Sequence, residues 1–149
     1  TVAPERLTFE ITETTVVNQL SSASELLARI REKGSKVALD DFGSGFSSFN
    51  YLKHFQVDFI KIDVERHEAE VVAGARETLA RFKPALVLEA GLESAEQRDR
   101  IYTMLRTAGY DIAGIVVSHG IVAGDGDAYR YMAAPFETGR HDNVLFLGA

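Results

Sequence analysis

The chain contains no cysteine. Disulfides, thiolate nucleophiles and cysteine-held metals are therefore excluded. No apolar run approaches the roughly 20 residues of a membrane-spanning helix, and the start carries no leader pattern. Basic runs are also missing: 16 Lys and Arg stand against 22 Asp and Glu, for a net charge of -6. That balance excludes a surface that coats nucleic acid. It leaves open a small anionic ligand held by metal or backbone amides. The start at Thr-Val-Ala-Pro, without Met, reads as a trimmed segment. With no membrane or secretory signal, a soluble cytoplasmic protein is expected, with neither a nucleic-acid polymer nor a membrane as partner. No linker or low-complexity tract divides the 149 residues, a length that suits one domain with a real core.

What is present is an alternation of strand and helix patterns, the signature of an α/β fold with a mostly parallel sheet. Leu7 to Thr12 reads as the first strand, with Leu7, Phe9 and Ile11 on one face and Thr8, Glu10 and Thr12 on the other. A helix is predicted from Ser22 to Lys33, opened by a Ser22–Glu25 capping box and striped with Leu26, Leu27 and Ile30. Lys36 to Asp41 forms the second strand, followed by a Gly43-Ser44-Gly45 turn and a short helix over 47–54. Val57 to Asp63 reads as a buried strand. A helix over Glu68 to Phe82, a strand over Ala85 to Glu89 and a helix opened by Ser94 and Gln97 follow. Tyr110 to Val117, Tyr129 to Ala133 and Asn143 to Leu147 read as strands without intervening helices. The expected fold is therefore one α/β domain, 1–149, with strand–helix units and an antiparallel edge from the C-terminal strands.

Glu10, Asp40 and Lys61 fall on the strand face opposite the aliphatic residues. A parallel sheet covered by helices on both sides is apolar on both faces. A polar face of mixed sign fits a barrel interior near a catalytic rim or an open cleft; solvation at a sheet edge fits it too. Glu65, His67 and Glu68 read as a solvated first helical turn. Gly124-Asp125-Gly126-Asp127 reads as a hairpin turn, lacking the terminal Glu of a calcium loop.

Glu10-Ile11-Thr12-Glu13, then Asp40-Asp41-Phe42-Gly43-Ser44-Gly45-Phe46-Ser47-Ser48, then Phe59-Ile60-Lys61-Ile62-Asp63 resemble the EAL family, cyclic-di-GMP phosphodiesterases built on a TIM-type barrel. The resemblance implies metal ligation by Glu10, Asp40 and Asp41. It implies that Lys61 steadies the attacking water or the developing charge, and that Glu13 holds the loop after the Asp-Asp pair. The Glu-Ala-Leu motif and the metal-binding asparagine of the family are absent, as are its later glutamate and glutamine strands. These residues are accordingly expected to be vestigial, with no cofactor beyond weak Mg²⁺ or Mn²⁺ binding.

From the same strand onward, Phe59 to Glu68, Ala73-Gly74-Ala75 and Lys83 to Glu89 resemble the C-terminal half of an FkbM-type methyltransferase, a Rossmann-like user of S-adenosylmethionine. That family usually has Gly where this chain has Arg66, so the turn is expected to differ. Its cofactor-binding first strand would lie before residue 57, so no S-adenosylmethionine site is expected. The two resemblances meet in Val57 to Asp63, which both families share. The expectation is an engineered chimera, EAL-like over 1–63 and methyltransferase-like over 64–149, with no dedicated activity and not an enzyme. The alternatives are residual metal-dependent cyclic-di-GMP binding or phosphodiesterase activity, and a module that binds S-adenosylmethionine. Barrel order would set the first four strands side by side with one face left for the tail, solvent or a partner; a homodimer is expected to shield it.

Overall fold

The structure, a computed structural model, describes residues 2–45, 49–54, 56–90, 94–117, 120–126, 129 and 142–148. Strands β1 (Thr8–Thr12), β2 (Lys36–Asp40), β3 (Phe59–Ile62), β4 (Ala85–Ala90), β5 (Tyr110–Val117), β6 (Gly120–Val122) and β7 (Asp142–Gly148) form one sheet. Its order is β1-β2-β3-β4-β7-β5-β6. The first four strands are parallel neighbours, as barrel order predicts; β7 is antiparallel to β4 and to β5, and β5 to β6. The mixed α/β class and the antiparallel C-terminal strands are as expected. Four α-helices accompany them among the described residues, α1 (Glu13–Asn18), α2 (Leu20–Glu32), α3 (Glu68–Phe82) and α4 (Ala95–Thr107), with short 3₁₀ helices over Pro4–Arg6 and Phe49–Lys53.

The core lies on one face of this sheet. Val37, Leu39, Ile60, Ile62, Leu86, Leu88, Val144 and Phe146 alternate along their strands and are all fully buried. Leu27, Val72, Ala75, Leu79, Ile101 and Leu105 from the helices close over them. Each such large aliphatic side chain contributes roughly 1.5–3 kcal/mol of burial. The next residue along each strand points to the other face, and that parity puts Glu10, Asp40 and Lys61 together.

Local chemistry moves some boundaries. The Thr12 side chain accepts from Thr15 N and caps α1, a helix not expected from the periodicity. α1 runs almost directly into α2, and the Gln19 carbonyl accepts from Ala23 N at 2.9 Å. α2 therefore begins before Ser22, which lies inside it, and the expected Ser22–Glu25 box does not form. Leu26 is exposed, leaving Ala23 and Leu27 as the buried positions of α2. The Ser94–Gln97 capping box does form at the head of α4. β6 carried no alternation signal. Tyr129 belongs to a helical turn, its N–H reaching Asp125 O at 3.1 Å, so Gly124–Asp125–Gly126 enters a helical turn rather than a hairpin. Residues 130–133, the rest of the strand expected there, lie outside the described residues.

The turn from β3 into α3 is held in the left-handed region by two non-glycine residues, Glu65 (φ 41°) and Arg66 (φ 76°). Arg66 is exposed, and its N–H donates to Glu68 Oε1 at 3.3 Å. Glu68 is buried, contrary to the solvated turn expected. Left-handed backbone costs an L-residue about 1–2 kcal/mol, offset in part by the chain entropy that glycine loses. Arg66→Gly is therefore expected to raise unfolding free energy by about 0.5–1 kcal/mol, read by urea titration. An unchanged or lower midpoint would show that the Arg66 side chain offsets the strain.

Candidate functional site

The carboxyl ends of β2 and β3 carry the polar side chains of the open face. Asp40 ends β2, and its Oδ1 accepts from the Asp41 N–H at 2.9 Å. Asp41 turns the chain away in the left-handed region (φ 53°), a conformation that aspartate tolerates better than most residues. On β3, Lys61 Nζ lies 2.9 Å from Asp63 Oδ2 and 3.5 Å from Asp40 Oδ1, with about a third of its side chain exposed. The hydrogen bond to Asp63 raises the Lys61 pKa above 10.5 against the opposing effect of burial, and the Asp40 charge raises it further. The ammonium persists at neutral pH. The pairing stabilises the fold below the ordinary value of 10.5 and is lost only as pH rises through the raised folded value.

Below this rim lies a shallow concavity of about 270 Å³, lined by Thr8, Glu10, Ala38, Phe59, Lys61 and Val87. Glu10 sits in its wall on edge strand β1 and is exposed. A second cavity, about 290 Å³, lies at the opposite end of the sheet, where Asp58 ties Arg31 to the Val37 N–H.

Glu13, at the head of α1, is 1% exposed. Its Oε2 accepts from Gly43 N and its Oε1 from the Tyr51 hydroxyl, both at 2.8 Å. The loop after the aspartate pair is thereby pinned to α1. Burial, then the hydrogen bond to Glu13 and its charge, push the Tyr51 phenol above its usual range, so it stays a donor. Phe42, fully buried between Asp41 and Gly43, anchors the same loop in the core.

The structure thus brings Asp40 and Lys61 together and sets Glu13 beneath their loop. It does not gather Glu10, Asp40 and Asp41: among the described residues no three His, Asp or Glu side chains stand close enough to hold a metal ion. Asp41 is turned outward, and the Asp40 carboxylate already serves Lys61 and the Asp41 amide. As placed, these residues do not fit a cation site. Two partners were missed from the sequence. Asp63 was readable, since two residues along a strand returns to the same face as Lys61. Tyr51 had no signal, because its role depends on how the short helix packs on α1.

The sequence matches the EAL domain over residues 1–104, from the start of the chain through β3, α3, β4 and into α4. The cyclic di-GMP phosphodiesterase PdeB of Shewanella oneidensis is 51% identical over 55 residues, 37% of this chain and 6% of that protein. The cyclic di-GMP phosphodiesterase RocR of Pseudomonas aeruginosa is 35% identical over 106 residues, 66% of this chain and 27% of that protein. Klebsiella pneumoniae BlrP1, solved with manganese and cyclic di-GMP, superposes with a TM-score of 0.54 at 28% identity over 72% of this chain and 28% of that one.

These findings overturn two expectations. The match runs without a break across the strand taken as a junction, which contradicts an inert engineered chimera. Both of these curated relatives are cyclic di-GMP phosphodiesterases, which contradicts the expectation that the chain is not an enzyme. The chain spans between 6% and 27% of the length of the curated relatives it matches. By its match over residues 1–104, it belongs to the EAL domain family.

Proposed function

We propose that the open sheet face is part of a cyclic di-GMP phosphodiesterase site. The observation that carries the reading is the Asp40–Lys61–Asp63 cluster on that face, above a concavity and beside a loop pinned by Glu13. The substrate is a ring closed by two phosphodiesters, each with one negative charge. A buttressed ammonium is suited to such a group. Asp63 and Asp40 hold Lys61 in place, and its charge stabilises the additional negative charge that develops on the phosphate oxygens during water attack. The carboxylate oxygens beside it can accept a hydrogen bond from the attacking water and orient it. BlrP1 is solved with manganese and cyclic di-GMP, which supports the substrate class and motivates the assay conditions. Because the described carboxylates do not gather around a cation, no step is assigned to a metal.

The test is ring opening of cyclic di-GMP to the linear dinucleotide, followed chromatographically with Mn²⁺ present. Turnover is expected for the wild type, with a loss of about 100-fold in kcat for Lys61→Met, the scale of removing one transition-state donor. Equal turnover by Lys61→Met, or none by the wild type, would contradict the reading.

A further inference from the structure

The cavity of about 290 Å³ at the far end of the sheet takes no part in the cyclic dinucleotide site. It lies where β3 begins and α3 ends, between Arg31 of α2 and Lys83. Leu52 and Ile60 bring the buried core to its surface, and Phe82 and Pro84 add apolar lining. Thr78, one turn before Phe82 on α3, also lines it.

Three charged side chains share this lining: Arg31, Asp58 and Lys83. Asp58 is already engaged, its Oδ2 accepting from Arg31 and, at 2.9 Å, from the Val37 N–H. The Lys83 ammonium is fixed by the Ala108 and Gly109 carbonyls, at 2.7 and 3.1 Å. Arg31 reaches Asp58 through Nη1, and about a third of its side chain stays exposed. A guanidinium carries five N–H donors in a planar fork, so donors remain for a ligand. Two cations against one carboxylate leave one positive charge in the lining, on a chain whose net charge is -6.

Size and charge define that ligand. An apolar cavity of about 150 Å³ holds benzene. A volume of about 290 Å³ therefore holds one ring with a short polar arm, and excludes cyclic di-GMP with its two purines and two sugar phosphates. The single net positive charge matches a monoanion. A carboxylate meets the planar edge of a guanidinium with two parallel hydrogen bonds. A phosphate monoester, carrying about two negative charges near neutral pH, would leave one unmatched beside Asp58. We propose that this cavity binds a small carboxylate with an apolar body of about one ring, its carboxylate on Arg31 and its ring against Ile60 and Phe82. Such a site is independent of the phosphodiesterase reading.

The test titrates the protein with phenylacetate, phenylacetamide, phenethylamine and phenyl phosphate, followed by amide chemical shifts. Phenylacetate is expected to bind saturably, with its largest shifts at Arg31, Thr78 and Phe82. It should bind about tenfold more tightly than phenylacetamide, as for one charge-assisted hydrogen bond, with phenyl phosphate weaker than phenylacetate and phenethylamine weakest. Thr78→Leu adds side-chain volume to the cavity without touching the Arg31–Asp58 pair, and leucine suits a helix. That variant should weaken phenylacetate by about tenfold or more. Arg31→Gln keeps an amide donor for Asp58 and should erase the preference over phenylacetamide. If Arg31→Gln does not fold, Thr78→Leu and the ligand series decide. The site is overturned by any of four results: no saturable binding at millimolar phenylacetate, equal affinity for the acid and the amide, tighter binding of phenyl phosphate, or full affinity in Thr78→Leu.

Discussion

Gly43→Ala is expected to cost about 3 kcal/mol or more of unfolding free energy, the largest single-residue effect in the loop after the aspartate pair. Two costs add. Gly43 has φ 96°, a conformation that L side chains rarely adopt. A Cβ there would also stand 2.3 Å from Val71 Cγ2 and 2.7 Å from Val71 Cγ1. Val71 belongs to α3, is 7% exposed, and as a β-branched helix residue has almost one usable rotamer. It cannot swing away, so either the loop or α3 must move. Urea unfolding measures the loss, and a double-mutant cycle with Val71→Ala separates its parts. The clash predicts that Gly43→Ala costs distinctly less in a Val71→Ala background. Equal costs in both backgrounds would assign the whole effect to backbone conformation.

Glu13→Ala is the second large effect, at about 3 kcal/mol. It deprives the Gly43 N–H and the Tyr51 hydroxyl of their shared acceptor inside a nearly closed site. Glu13→Gln is expected to cost far less. Its amide oxygen can accept from Gly43 N, while its NH₂ donates to the Tyr51 oxygen. Tyr51→Phe should fall between, removing one donor and leaving the Gly43 contact. The order Ala, then Tyr51→Phe, then Gln, in thermal or urea midpoints, is the signature of the clamp. A Glu13→Gln protein as unstable as Glu13→Ala would show that charge, not hydrogen bonding, holds the loop. Turnover should follow the same order, because the clamped loop begins at Asp40 and Asp41.

Much of the fold was readable because local and global signals agreed. α3 occupies Glu68–Phe82 as its period predicts, ended by left-handed Lys83 and then Pro84. β5 keeps the predicted bounds, and the Ser94–Gln97 box forms. Where signals conflicted the reading failed. Ser22 is a good cap by type, but Gln19 had already started the helix. Arg66 gives no hint of a positive φ; only the surrounding turn imposes it. The polar face was legible from alternation, yet its pairing was not. Whether Lys61 turns to Asp63 or toward Glu10 depends on side-chain packing, and Asn143 meets Glu89 only through the register of a strand far along the chain.

The central claim is that cyclic di-GMP binds the open face at the carboxyl ends of β2, β3 and β4. Amide chemical-shift mapping during a cyclic di-GMP titration tests it most directly. The account predicts saturable shifts at residues 40–43, 59–63 and 87–89, with Arg31, Thr78 and Phe82 around the opposite cavity unmoved. Saturable shifts centred on that opposite cavity, or none at millimolar ligand, would contradict it.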